Sequence, residues 1–254
     1  MRFDGRVALI TAAASGIGRA TAEIIAAEGG IIVAVDTDEG RLKDAVGAIE
    51  AAGGRAHAHR ADALDAGQVD GVVERAVREH GHIDILVNAV GGSTIISRPA
   101  ATVDELTLHE WQQLLTFNLD GTFLFCHALA AVMKRQRGGK IVNISSIAGR
   151  GISASSSSAY AAAKGGIIAF TKKLAQELGP FGVTVNAIAP SMTLTERIRP
   201  RWEKRTAEEQ GQEIFRTPLR RMAEARDQAR VIGFLASADA DFVTGVTIDV
   251  TGGI

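Results

Sequence analysis

Tyr160 and Lys164 stand four residues apart in 157-SSAYAAAKGG-166, and Tyr160 is the only tyrosine among 254 residues. Residues four apart share one face of a helix, so this spacing sets an ammonium one turn from a phenol. A free phenol gives up its proton only near pH ~10. A neighbouring positive charge favours the phenolate and lowers that value, and a phenol tuned in this way can give or take a proton near neutral pH. The spacing alone is common, so the pair needs company. Ser146 follows the apolar run 140-KIVNIS-145, where a hydroxyl can hold a substrate oxygen and stabilise developing negative charge. Asn118 interrupts a helical pattern in 116-TFNLDGTF-123. Asparagine competes for backbone hydrogen bonds inside a helix, so it is either an exposed helix residue or the mark of a local break that serves function.

A second set of residues suits a nucleotide. The first strand-to-helix turn, 11-TAAASGIGRA-20, matches the spacing G-x-x-x-G-x-G at 12, 16 and 18, with Ala12 in place of the first glycine. Gly16 and Gly18 let the backbone approach a pyrophosphate, and the helix N-terminus supplies free N–H groups and partial positive charge. A tight turn with no ligand has the same look. Asp36 closes 31-IIVAVD-36, and a carboxylate there can accept from the adenosine ribose hydroxyls and repel a 2′-phosphate. The next residues are Thr37 and Asp38, with no adjacent arginine or lysine, which favours NAD over NADP. The alternative is an aspartate capping the following helix.

These residues need elements to position them. Apolar runs at 7–11, 31–36, 56–61, 83–88, 140–145, 183–189 and 246–250 read as strands. Helical patterns cover 16–27, 39–52, 66–80, 108–135 and 157–178. Strands with few alternating polar residues are buried on both faces, so helices must cover both sides of a parallel sheet. The expected fold is α/β, a doubly wound Rossmann-type domain with seven mostly parallel strands, spanning 1–254. Segments 91–103 and about 191–223 break the alternation, and both follow the carboxyl end of a strand, the edge where open α/β sheets bind ligands.

Composition narrows the classes. Apolar residues make up 46% and the formal net charge is −1, so the chain is globular and has no excess charge for nucleic acid or an acidic membrane. No apolar run reaches the ~20 residues of a bilayer span, and no signal peptide is read at the N-terminus, so a cytoplasmic protein is expected. The single Cys126 cannot form an internal disulfide and reads as core rather than a reactive thiol.

Taken together, TAAASGIG (11–18), Ala61-Asp62, NAVG (88–91), Asn118-x-x-Gly121, NISS (143–146), Tyr160-x-x-x-Lys164, Asn186-x-x-x-Pro190 and TG…VTGG (244–253) resemble the short-chain dehydrogenases/reductases across nearly the whole chain. The resemblance implies that Asn118, Ser146, Tyr160 and Lys164 are catalytic, with Asn118 serving a water relay to Lys164. Ser145 is a minor rival to Ser146, because the loop to Tyr160 is one residue longer than common. It also implies that Ser15, Gly16, Ile17 and Gly18 line the diphosphate and Asp36 holds the adenosine ribose. Asp62 and Ala63 would flank the adenine, and Asn88 and Gly91 would border the ribose. Pro190, Thr193 and Thr195 would meet the nicotinamide end, as would Tyr160 and Lys164. Ala12, Ala89-Val90 and Ser191 depart from the family pattern. No metal is expected. The small residues around Tyr160 would pack the helix either within the chain or against a partner subunit of a homotetramer or dimer.

The resemblance places a substrate lid at about 191–223. Between Arg197 and Arg221 stand seven arginines and one lysine against four acids. Arg150, Arg197, Arg199, Arg201 and Arg216 are candidates to hold an anionic substrate, or they form a solvated helix face. Trp202, Phe215, Ile95 and Ile96 are candidate apolar walls. The expected function is hydride transfer between NAD(H) and a secondary alcohol or ketone. A silent nucleotide sensor, or an epimerase or dehydratase that uses NAD transiently, stands as the alternative.

Overall fold

The computed structural model describes residues 1–153 and 155–254. β1 (Val7–Thr11), α1 (Gly16–Ala27), β2 (Ile31–Asp36), α2 (Glu39–Ala51), β3 (Arg55–Arg60), α3 (Ala66–His80) and β4 (Ile85–Asn88) form the first half. The second half holds α4 (Leu108–Leu115), a π-helical turn (Thr116–Asp120), α5 (Gly121–Gln136), β5 (Gly139–Ile144), α6 (Ser158–Leu178) and β6 (Val183–Pro190). Then come β7 (Thr193–Leu194), α7 (Arg199–Glu203), α8 (Ala207–Arg216), β8 (Ala223–Glu224), α9 (Ala225–Ala236) and β9 (Thr247–Val250). Seven strands make one parallel sheet in the order β3-β2-β1-β4-β5-β6-β9, and β7 pairs with β8 in a separate two-stranded ribbon.

The strands are apolar on both faces because both faces are covered. Ala8 and Ile10 of β1 point into one core with Ile25 of α1, Leu42 of α2 and Ile232 of α9. Val7 and Leu9 point into the other with Val73 of α3, Phe125 of α5 and Leu174 of α6. Alternate residues of a strand face opposite sides, so one short run feeds both layers. The order of strands turns back between β1 and β4, and the carboxyl ends of the strands meet at that crevice.

Helix α9 was not anticipated, although it covers β5, β6 and β9. The helix expected at 108–135 does carry a local break at Asn118, in the form of the π turn. Leu108–Gln136 as one helix is long and apolar enough to cross a membrane, contrary to the expectation that no run is. It is a core helix: Phe125, Cys126, Leu129 and Met133 pack on the sheet, and Asn118 is fully buried. Cys126 is core as expected, its thiol pushed up to about 12 by burial.

Candidate active site

A cleft of ≈ 760 Å³ opens along the carboxyl ends of β1, β2, β4, β5 and β6. The glycine turn forms its first wall. Ala12 takes φ +50° and Gly16 takes φ +56°, so the missing first glycine is replaced by an alanine held in the left-handed region. A Cβ on Gly18 would stand 2.3 Å from Ala12 O, so only glycine lets α1 leave β1 this closely. Gly16 N donates to Glu196 Oε2 at 2.8 Å. An anionic oxygen from the chain itself thus sits on the helix N-terminus, which is the chemistry a diphosphate oxygen requires there. Ser15, Ile17 and Thr195 line the same wall.

Asp36 lines the cleft at the end of β2. Its Oδ2 accepts from Ala14 N at 3.1 Å and its Oδ1 from Asp38 N at 3.1 Å, so it ties the glycine turn to β2. The cap of α2 is Asp38, which accepts from Arg41 N. Asp36 is therefore not the helix cap. Asp62 and Ala63 also line the cleft, and Asp62 Oδ1 accepts from Leu64 N at 2.9 Å. The residues fit a dinucleotide: a helix N-terminus that takes an anionic oxygen at one end of the wall and the carboxylate of Asp36 at the other.

The candidate reacting groups lie beyond. Ser157 caps α6 by accepting from Tyr160 N at 3.4 Å, which sets Tyr160 in the first turn and Lys164 one turn later. Ser146 Oγ accepts from Ala148 N at 3.1 Å, and Ser146 lines the cleft together with Tyr160. Ser145, the rival, is buried and gives its hydroxyl to Lys164 O at 2.7 Å. Lys164 Nζ donates to Ile144 O at 2.8 Å and lies 5.8 Å from the centre of the Tyr160 ring. Burial raises the Tyr160 pKa against the Ser146 hydrogen bond and the Arg197 charge, which both lower it. Burial, with Arg197 as the second cause, lowers Lys164 to about 7. In the chain's own field the lysine thus does not pull the phenol down as expected: water is lost from both groups, and each drifts toward its neutral form.

Asn118 does not line the cleft. Its Oδ1 accepts from Gly92 N at 2.8 Å, and its Nδ2 donates to Gly92 O at 3.1 Å and Leu114 O at 2.9 Å. An ordinary α-helix would give Leu114 O to the Asn118 N–H, so the π turn and the side chain rearrange together. A Cβ on Gly91 would stand 2.8 Å from both Asn118 Oδ1 and Lys164 Nζ. Asn118 therefore clamps the loop that packs on Lys164. Asn88 is also buried off the cleft, donating to Asn143 Oδ1 at 2.9 Å and lying 3.3 Å from Cys126 Sγ. Its neighbours Ala89, Val90 and Gly91 line the cleft.

The far end of the cleft separates the substrate candidates. Pro190, Thr193, Arg197, Arg201, Trp202 and Arg216 line it. Arg150 does not: it is held by Asp249 at 3.1 Å and Thr247 O at 2.9 Å. Arg199 is paired with Glu224 at 2.8 Å. Ile96 is buried against Leu114 and Ala159, while Ile95 and Phe215 are exposed and off the cleft. Glu196, Gly92, Ile152 and Arg205 were missed. They lie in irregular loops or a short helix end, and only adjacency to Thr195 and Gly91 hinted at the first two. Gly165 and Gly166 pack inside the chain, against the Gly149 backbone and Leu119.

A family model described as enoyl-(acyl carrier protein) reductase matches residues 11–254. The chain is 37% identical to the 3-oxoacyl-(acyl-carrier-protein) reductase of Thermotoga maritima over 100% of this chain and 99% of that one. It is 39% identical to the cyclohexanol dehydrogenase of a Rhodococcus species over 98% of this chain and 96% of that one. A solved 3-oxoacyl-(acyl carrier protein) reductase from Brucella melitensis with bound NAD superimposes with a TM-score of 0.87 at 34% identity, over 100% of this chain and 94% of that one.

Proposed function

The chain belongs to the short-chain dehydrogenase/reductase family, and from that premise we propose that it transfers a hydride between NAD(H) and a secondary alcohol or ketone, with Tyr160 carrying the proton. The observation that carries this reading is one cleft lined by Ser146, Tyr160 and Lys164 at one end and by the Gly16–Gly18 turn and Asp36 at the other.

Gly16, Ile17, Gly18 and Thr195 would hold the diphosphate of NAD, Asp36 its adenosine ribose, and Asp62 and Ala63 its adenine. Bound NAD would supply the hydride acceptor or donor and, when oxidised, a positive charge. Ser146 holds the substrate oxygen. Tyr160 takes the alcohol proton in oxidation and returns it to the alkoxide oxygen in reduction. Burial keeps the phenol protonated, with Ser146 and Arg197 acting against it; Lys164 Nζ lies 5.8 Å from the ring centre. Asn118 acts through position, holding Gly92 and so the loop against Lys164.

Asp36 supports NAD over NADP, as does the relative solved with NAD. The segment at about 191–223 serves as substrate lid. The chain works as a cytoplasmic homo-oligomer, a tetramer or dimer: Phe123, 47% exposed, stacks with His127 and meets Phe170 edge-on, an aromatic patch on the outer side of α5 and α6.

Absorbance of the reduced nicotinamide with a panel of secondary alcohols and ketones tests the reading. Turnover is expected, and Tyr160→Phe should bind NAD while kcat drops by about 10²–10⁴-fold. Near-normal turnover in that variant would remove Tyr160 from its role; no binding or turnover of either nicotinamide by the native chain would end the oxidoreductase reading.

A further inference from the structure

Arg197, Arg201, Arg205 and Arg216 converge on the end of the cleft beyond Tyr160. One carboxylate side chain shares that end, Glu213, and it is engaged by Arg205 at 3.7 Å. Among the described residues, Arg197, Arg201 and Arg216 have no carboxylate partner, whereas nearby Arg199 and Arg221 are paired with Glu224 and Asp227. Arg197 is innermost. Its Nη2 donates to Gly91 O at 3.0 Å and its guanidinium packs on the Gly92 backbone. Arg197 is exposed to the cleft; partial loss of water lowers its pKa first, and it is close enough to Tyr160, Lys164 and Arg201 for their charges to act on one another. Like charges gathered at a cleft wall repel, and an anion between them reverses the sign of that interaction. Guanidinium groups suit carboxylate and phosphate oxygens through their planar donor pairs. Around them stand Ile152, Met192 and Trp202, an apolar setting that strengthens an ion pair.

We propose that this end of the cleft binds an anionic oxygen group of the substrate, whose carbonyl or carbinol carbon lies at Tyr160 and whose anion lies among Arg197, Arg201 and Arg216. This rests on the oxidoreductase reading above. The same chemistry has two sources: the carboxylate of a small acid, or the phosphate of a carrier-borne acyl thioester.

The test measures kcat/KM with NADH for 3-oxobutanoate and 4-oxopentanoate, each against its own methyl ester, and for 3-oxobutanoyl-coenzyme A. The acids should be preferred over the esters by about tenfold or more, the factor one good charged contact brings. Arg201→Met and Arg216→Met, both at exposed positions, should each shrink the acid-to-ester ratio by at least about threefold, and the double variant should abolish it. Arg199→Met, paired outside the cleft, should leave the ratio alone. A strong preference for the coenzyme A thioester that falls in the same variants assigns the anion to a carrier phosphate. Equal use of acids and esters, with a thioester rate the variants do not change, overturns the proposal. So do variants that weaken NADH binding by fluorescence while the ratio stands, since the arginines would then serve the cofactor. Saturable stabilisation of the NADH-bound native chain by 4-oxopentanoate, absent for the ester and in the double variant, reads the pocket without turnover. Such binding, with no turnover of these compounds or of the alcohol and ketone panel, keeps the anion pocket and sinks the oxidoreductase reading; neither binding nor turnover of any anion sinks the pocket.

Discussion

Lys164 is 2% exposed, and among the described residues its ammonium makes one hydrogen bond, to Ile144 O, so folding strips water from an ammonium for little return. Its folded pKa of about 7 lies below the ~10.4 of an unfolded lysine. Between those values the unfolded chain binds the extra proton, so stability rises with pH across that window; below about 7 the cost is full and constant. Lys164→Met removes this dependence. Relative to that variant, the native chain should gain about 3 kcal/mol between pH 7 and pH 9.5, read from urea unfolding at both values. The variant should also lose activity, the mark of an amine buried for function at the expense of stability. Asp36 is the second residue with a clear test. Asp36→Ala removes both the ribose acceptor and the repulsion of a 2′-phosphate, so the NAD-to-NADP ratio of kcat/KM should fall by about tenfold or more. An unchanged ratio would refute its role.

At the scale of elements, the β1–α1 turn and the π turn are where the backbone departs from regular geometry. Ala12 is held at φ +50° because the chain must double back to let Gly18 meet its carbonyl oxygen. A residue with a Cβ in that region costs about 1 kcal/mol relative to glycine. Ala12→Gly should therefore raise Tm by about 2–4 °C in a scanning calorimetry run, with NAD binding retained. A fall in Tm would mean that chain entropy outweighs the strain. The π turn at Thr116–Asp120 has the same logic without glycine: Asn118 supplies side-chain bonds to Gly92 and Leu114, and the irregular backbone is held by them.

For the whole molecule, two helical layers bury both faces of the sheet and leave aromatic surface on the outer side of α5 and α6. Phe123 at 47% exposure, with His127 and Phe170, is more than a lone surface side chain. If that patch joins subunits, Phe123→Glu should shift sedimentation from the oligomer to a smaller species at equal concentration. An unchanged profile would place the interface elsewhere.

Local order was legible because short-range physics writes it. Buried parallel strands read as apolar runs, Gly16 and Gly18 mark a close approach of backbone, and Tyr160 and Lys164 share a face by helical period. Asp36 at a strand end and Ser146 after another fall on the ligand edge by alternation alone. Tertiary structure decided what depends on neighbours distant in sequence. It tied Asn118 to the Gly92 backbone and Asn88 to Asn143, turned the Ser145 hydroxyl to Lys164 O, and drew Arg150 to Asp249, 99 residues away. It also set Glu196 on Gly16 N, 180 residues away, and brought Arg197 beside Tyr160. Whether a charge is paired or desolvated is a property of the space around it, and a linear pattern of residues carries no record of that space.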